Sequence, residues 1–449
     1  MKDREREIPK RLRAVFSDKI NHSQGKIYHP EIHLAADFDE PLDRPRLKRA
    51  LRLVLNAEPI LGCRFRDSWL KPFWERLDPA ALEAAGVLTE FSGPAEDCGA
   101  AEQAFYGELL DYAAGPQLRA LLLPRAGGGE RLILKVAHMA CDAGGVKEIF
   151  YGLADIYGRL ALDPAYEPEP RTGSRSMVQV YLRFPFRKWP SILWSGLVAM
   201  WRMVRPLRSF QVASGGVRKP PLLFIFRHFS RKRVSALAAY ARSRGATLND
   251  LMTAAFFRAL TAVEGGRVRG RLRMVSTVDL RRYLPERRTG GLCQVSGLYA
   301  VGIPYRPGED FAGTLAAVKE SIDPQKEQWF GLGMMMFLRL LGLCQPYFYS
   351  KFLMRSTWRL GIRDGNLPPG FTNMGPIDEA PCRFGGKLPA AVFLGVPSAC
   401  PPWFAAGLSG YSGTLTLSAG FYPSAIPADW VEDLFDRVES ELDSALAAG

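Results

Sequence analysis

The chain has 449 residues, of which 47% are hydrophobic, 11% aromatic and 23% charged; this balance excludes a disordered tail protein, a fibrous repeat and a polytopic membrane protein. The formal net charge of +13 is concentrated in one stretch, because the residues from 170 to 249 include no Asp or Glu and carry 16 Lys and Arg. The rest is close to neutral, which argues against nucleic acid as a partner.

The first part of the chain alternates strand and helix patterns. An alternating apolar run predicts a strand over 32–38, and apolar residues at helical spacing predict a helix over 46–56. A further strand is predicted over 132–137 and a helix over 146–160, joined by the sequence HMACDAGG. Such alternation is typical of a sheet covered by helices.

A basic, tryptophan-rich segment follows. Its most apolar part, 189–201, is free of charge, but it is shorter than the roughly 20 residues that a membrane-spanning helix needs. Basic residues flank it at positions 183, 187, 188, 202, 205 and 208. Two interpretations stay open: a helix packed on the body of the protein with its arginines in solvent, or a helix lying in a membrane interface through Trp189, Trp194 and Trp201.

The last part of the chain repeats the strand-and-helix theme. Strands are predicted over 222–229 and 413–418, and helices over 230–243, 251–263 and 427–448, with Thr247 as an N-cap. The order of strand, glycine-containing turn and long helix from 413 onward matches the order at 132–160, without the His and Asp. This weak internal repeat predicts two similar lobes. We therefore expect an N-terminal lobe over 1–165, a basic insert over 166–221 and a C-terminal lobe over 222–449.

A second acid-free stretch lies at 329–363 and includes three consecutive methionines, 334–336. Methionines in such a run are typical of a core, and an acyl tunnel or a membrane-facing surface is the alternative.

The seven cysteines are scattered, without the spacing of a disulfide framework or a zinc site, so we expect no metal. The charged N-terminus lacks the apolar stretch of a signal peptide, which predicts a cytoplasmic protein.

One histidine has a setting that indicates chemistry. His138 follows the predicted strand 132–137, Asp142 comes four residues later, and Gly144 and Gly145 precede the helix. A base at the end of a buried strand is held in one orientation, a nearby carboxylate can fix the local geometry, and glycines let a substrate pass close to the backbone. His138 is thus a candidate general base, with a purely structural histidine as the alternative.

The sequence HMACDAG, from His138 to Gly144, resembles the HxxxDG motif of the CoA-dependent acyltransferase superfamily. That superfamily includes chloramphenicol acetyltransferase, the condensation domains of nonribosomal peptide synthetases, and wax ester synthases. Further stretches agree with it in order and position, at 58–65, 247–250, 278–285, 291–302 and 371–376. The resemblance covers about 26–165 and 222–449.

This resemblance implies an α/β fold of two chloramphenicol-acetyltransferase-like lobes, each a mixed sheet flanked by helices, with an active-site tunnel between them. It also implies an acyltransferase without a bound cofactor. The co-substrate would be acyl-CoA or an acyl-phosphopantetheine on an acidic acyl carrier protein, and the acceptor an alcohol or an amine. Alternatives are a free-standing condensation-like enzyme that acts on carrier proteins, and a catalytically silent module associated with a membrane.

The resemblance also assigns roles to residues. His138 is the general base, and Asp142 is a structural carboxylate that pairs with an arginine, for which Arg281 is the candidate. Gly144 and Gly145 either line the substrate tunnel, where Gly144 leaves room for the acceptor, or give structural support. Asn373, or its neighbour Thr372, donates a hydrogen bond to the tetrahedral oxyanion. The basic insert would bind either the acidic carrier protein or an anionic membrane surface, the latter placing the protein peripherally on the inner face of the membrane.

Overall fold

The computed structural model describes residues 8–24, 28–204, 212, 219–265, 270–343, 346–363 and 367–448. Arg205 and Arg208, which flank the apolar part of the basic segment, and one of the seven cysteines, Cys344, lie outside the described residues. In these ranges the chain folds into two lobes, each a mixed sheet covered by helices, as the sequence predicts.

The elements before the basic insert are, in chain order, β1 (Arg11–Arg13), α1 (Phe16–Gln24), β2 (Tyr28–His29), β3 (Glu31–Phe38), α2 (Arg44–Ala57), β4 (Cys63–Arg66), β5 (Phe73–Arg76), α3 (Pro79–Ala84), β6 (Leu88–Glu90), α4 (Cys98–Gly107), β7 (Leu118–Pro124), β8 (Glu130–Ala137) and α5 (Ala143–Leu162). The insert contains α6 (Val178–Tyr181) and α7 (Trp189–Val204).

The elements after the insert are β9 (Leu223–Phe229), α8 (Arg231–Ser243), α9 (Leu248–Glu264), β10 (Arg271–Asp279), β11 (Ser296–Pro304), α10 (Phe311–Lys326), α11 (Leu332–Leu343), α12 (Tyr347–Arg363), β12 (Gly370–Ile377), β13 (Ala391–Gly395), β14 (Ser398–Ala399), β15 (Ala405–Tyr411), β16 (Thr414–Phe421) and α13 (Ala428–Ala447). The strands and helices predicted from hydrophobic periodicity are all present, and Thr247 caps α9 as expected.

The sheet of the first lobe has the strand order β13-β3-β8-β7-β6. All eight residues of β3 are buried, because apolar side chains cover both faces of this strand. One face packs against α2 and α5, and the other against α4 and the aromatic residues of β9. Burial on both faces holds β8 rigidly, and β8 leads directly into His138.

One strand of this sheet comes from far along the chain. Residues 391–395, within the predicted C-terminal lobe of 222–449, form β13 and pair antiparallel with β3, Phe393 opposite Ala35. The chain therefore crosses back and completes the sheet of the first lobe. The two lobes are interlocked by this strand rather than joined end to end.

The second lobe is built on a six-stranded sheet in the order β11-β10-β12-β15-β16-β9. Its core packs under α8, α9, α10 and α13. Strand β12 is central in this sheet and parallel to both of its neighbours. Lys147 of α5 donates hydrogen bonds to the carbonyl oxygens of Met374 (3.1 Å) and Pro376 (2.9 Å), so β12 contacts the first lobe directly.

The basic insert contains a helix that packs on the body of the protein. Helix α7 lies against α11 at a close approach, since a Cβ on Gly196 would stand 2.2 Å from the carbonyl oxygen of Gly333. Ile192 is buried there together with Met335 and Met336, so the packed-helix and core-methionine interpretations are confirmed for this face. None of the helices in the described ranges is both long enough and apolar enough to cross a membrane.

Candidate active site

His138 is fixed through its main chain at the end of β8. Its N–H donates to the carbonyl oxygen of Pro30 (2.6 Å). Its own carbonyl oxygen accepts a hydrogen bond from Nδ2 of Asn21 on α1 (2.8 Å). Because both backbone groups are occupied, the direction in which the imidazole leaves the chain is set by the sheet and by α1.

The imidazole ring is held in one tautomer. Nδ1 lies 2.8 Å from the carbonyl oxygen of Cys141. A carbonyl can only accept, so Nδ1 carries the proton and Nε2 is left with a free lone pair. Burial lowers the pKa of His138 below its usual value, which keeps the ring neutral at pH 7. The imidazole is therefore neutral and has a nitrogen that can accept a proton, which are the two properties that a general base requires.

Asp142 is turned away from the imidazole and fully engaged elsewhere. As the N-cap of α5, its Oδ1 accepts from the N–H of Gly145 (3.0 Å). The same oxygen lies 2.8 Å from Nη1 of Arg281, and Oδ2 accepts from the N–H of Val295 (2.8 Å) and the hydroxyl of Ser296 (3.1 Å). Burial alone would raise the pKa of this carboxyl, but Arg281 and the backbone donors outweigh it and lower the pKa.

Arg281 is the buried centre of a charge network between the lobes. Besides Asp142, its guanidinium contacts Glu148 of α5 (2.8 Å), Asp279 (3.3 Å) and the carbonyl oxygen of Cys293 (3.2 Å). Burial opposes its charge, yet the carboxylates raise the pKa of Arg281 well above the ordinary value. The contact between Asp142 and Arg281 that the sequence analysis expected is present.

Protein atoms occupy the space where a side chain would stand on either glycine, which agrees with the structural-support interpretation of Gly144 and Gly145, while room for the acceptor beside them stays a prediction. A Cβ on Gly144 would lie 2.5 Å from Nη1 of Arg281, and a Cβ on Gly145 would lie 2.5 Å from Cβ of Cys141. The space beside Gly144 is therefore filled by the guanidinium. A side chain at Gly144 would push Arg281 away from Asp142.

Two residues that the sequence analysis missed support the base from the N-terminal segment. Tyr28 meets the imidazole of His138 edge-on at 6.2 Å between ring centroids, and its hydroxyl donates to Oδ1 of Asn21 (2.7 Å). Nδ2 of Asn21 also donates to Gln294 (2.5 Å). Nothing in the N-terminal sequence signals these contacts, because they depend on where α1 docks.

The two candidate oxyanion donors lie on opposite faces of β12. Asn373 shares a face with Phe371, which stacks on Phe256 of α9, and its amide donates to Asn249 at the start of the same helix (3.2 Å). Thr372 points the other way, as does Met374, which packs in the core of the first lobe. The hydroxyl of Thr372 is hydrogen-bonded to that of Thr277. Of the two, only Thr372 faces the lobe that carries His138.

Two surface grooves lie away from His138. One, of about 520 Å³, is lined by residues of α12 and of the turn 67–69, and the other, of about 420 Å³, adjoins it at Asp67. His138 lines neither of them. The tunnel expected between the lobes stays a prediction.

Comparison with solved structures places the whole chain in a known fold. The first condensation domain of the CDA synthetase is 19% identical, over 98% of this chain and 97% of that one, with a TM-score of 0.70. TRI3 trichothecene 15-O-acetyltransferase from Fusarium sporotrichioides is 12% identical, over 97% and 95%, with a TM-score of 0.70. The starter condensation domain of rhizomide synthetase, a mutant solved with C8-CoA and Leu-SNAC, is 15% identical, over 97% and 94%, with a TM-score of 0.66.

Neither the family models nor the curated proteins compared with the sequence match it. Identities below 20% to the solved structures establish the fold alone. The chain has the two-lobed α/β fold of condensation domains and of this acetyltransferase, which confirms the fold that the resemblance in the sequence implies.

Proposed function

We propose that this chain, with the fold of condensation domains and of an acetyltransferase, transfers an acyl group from a thioester to an alcohol or an amine. The observation that carries the proposal is the imidazole of His138, whose Nδ1 proton is committed to the carbonyl of Cys141 while Nε2 stays free. The lowered pKa of His138 leaves that nitrogen unprotonated at neutral pH. The fold and the HxxxD sequence support the same reaction class.

The reaction would proceed through one tetrahedral intermediate. Nε2 of His138 takes the proton of the acceptor O–H or N–H as the acceptor atom attacks the thioester carbonyl carbon. The carbonyl oxygen becomes an oxyanion, and when it collapses the C–S bond breaks. The departing thiolate takes the proton from the imidazolium, which returns His138 to its neutral form and leaves an ester or an amide and a free thiol.

The donor is CoA or a phosphopantetheine on a carrier protein, and one assay separates the two. Purified protein is given an acyl-CoA chain-length panel or the same acyl groups on an acidic acyl carrier protein, with a host lipid extract as the source of acceptors. We expect thiol release and an acylated product, identified by mass spectrometry, with one donor class. Absence of transfer from every donor would leave the catalytically silent alternative and overturn the proposal.

Thr372, rather than Asn373, is the oxyanion donor that we favour, because only Thr372 faces the lobe of His138. Loss of one such donor lowers kcat by about 10²- to 10³-fold. We therefore expect Thr372→Val to lower kcat by about that factor, and Asn373→Ala to have a smaller effect on kcat. The reverse order of effects in single-turnover assays would return the role to Asn373.

A further inference from the structure

The exposed apolar side chains of this protein are gathered on a few connected segments. In the described ranges, all but Leu109 and Leu162 of the large exposed hydrophobic residues lie in the turn 69–70, in 182–201 or in 340–362. Helix α11 packs on α7. Near the end of α11, a Cβ on Gly342 would lie 2.5 Å from the ring of Phe16 on α1, and helix α1 in turn contacts α12. The segments therefore adjoin one another.

Helix α12 combines an apolar stripe with a basic stripe. Phe348, Phe352 and Leu360 are exposed, Phe352 to 66% of its surface. Basic residues recur every four positions at 351, 355, 359 and 363, a spacing that puts them in one row along the helix. The segment from 329 to 363 has no acidic residue at all. The two stripes run side by side along one helix.

The groove beside this helix is cationic and rimmed by aromatic rings. Lys351, Arg355 and Arg359 line it together with Trp69, whose ring packs 4.8 Å from that of Phe348. Asp67 is the single carboxylate in its lining, and it is paired with Lys351 at 2.8 Å. Within the described residues Arg355 and Arg359 have no carboxylate partner, and the buried Nε of Arg355 has no hydrogen-bond partner. The groove thus holds guanidinium groups that an external anion could pair.

We propose that α12 and the turn at Trp69 form a docking surface for an anionic phospholipid bilayer. A bilayer presents anionic headgroups over an apolar layer, so the arginine stripe would meet phosphates while Trp69, Phe348 and Phe352 enter the interface. Helix α7 extends the surface with Trp194 and Trp201 on its exposed face. An acidic soluble protein would match the arginines but leave the apolar stripe uncovered. This inference does not rest on the acyl-transfer proposal.

Co-sedimentation with vesicles tests the surface. The probes are vesicles of phosphatidylcholine alone and of phosphatidylcholine mixed with phosphatidylglycerol. We expect the full chain to bind the anionic vesicles and to be released as salt is raised, since screening weakens exposed charge interactions. Phe348→Ser/Phe352→Ser and Arg355→Gln/Arg359→Gln should each lower the fraction bound by about tenfold.

Two control variants remove the same kinds of side chain from other parts of the surface. Lys232→Gln/Arg242→Gln removes two exposed charges from α8, and Leu162→Ser removes an exposed leucine from the end of α5. Both controls should bind like the wild type, and circular dichroism should be the same for all variants. The proposal is overturned if the chain ignores both vesicle types, binds them equally at all salt concentrations, binds an acidic carrier protein but no vesicle, or loses binding equally in the controls.

Discussion

Replacing His138 with alanine should lower kcat for acyl transfer by about 10²- to 10⁴-fold, the contribution of a well-placed general base. The substitution removes Nε2, which is the only imidazole nitrogen free to take the acceptor proton. The backbone contacts of residue 138 with Pro30 and Asn21 do not involve the ring and should persist. We therefore expect circular dichroism and the melting temperature to change little while the turnover falls.

The matched control is His228→Ala, which removes an exposed histidine that contacts Thr416 in the second lobe. It should keep wild-type turnover. The pH profile gives an independent reading, because the base works only when it is unprotonated. Since burial lowers the pKa of His138, the wild-type kcat/KM should be level near pH 7 and fall only on the acid side of the usual histidine range. Full activity of His138→Ala would exclude His138 as the base.

The local parts of this architecture can be read from the sequence. Strand β8, His138 and helix α5 follow one another in the chain. They can be predicted from hydrophobic periodicity and from the cap at Asp142, and both of these are local signals. The pairing of Asp142 with Arg281 was accessible only through the resemblance to a family. The HxxxD pattern alone does not indicate which arginine pairs with Asp142, and the arginine that does so lies 139 positions away.

The remaining features depend on packing between distant segments. Pairing of β13 with β3 brings together residues more than 350 positions apart, and no periodicity encodes that choice. The docking of Asn21 on His138, 117 positions away, depends in the same way on the fold. Gly144 is a plain example of what the sequence alone cannot predict. The sequence indicates that space is needed beside this residue, but only the structure shows that Arg281 occupies that space.

Replacing Arg281 with methionine should lower the free energy of unfolding by about 3–5 kcal/mol, the effect of removing one partner from a buried ion pair. Methionine replaces the aliphatic part of the arginine side chain and lacks the guanidinium group, so the charge and the hydrogen bonds of that group are lost. Asp142 would stay buried without its cation, and Glu148 and Asp279 would lose the same partner. Urea unfolding followed by circular dichroism measures the change.

Arg282→Met is the matched control, because Arg282 is the exposed neighbour and its guanidinium stacks on the ring of Tyr283. The free energy of unfolding of this surface variant should stay within about 0.5 kcal/mol of the wild-type value.

Turnover should fall in Arg281→Met as well, since Asp142 fixes the turn whose Cys141 carbonyl holds the imidazole of His138. Equal stability of the two variants would mean that the charge network between the lobes contributes nothing to the fold. A stability loss without a loss of turnover would separate the network from the positioning of the base.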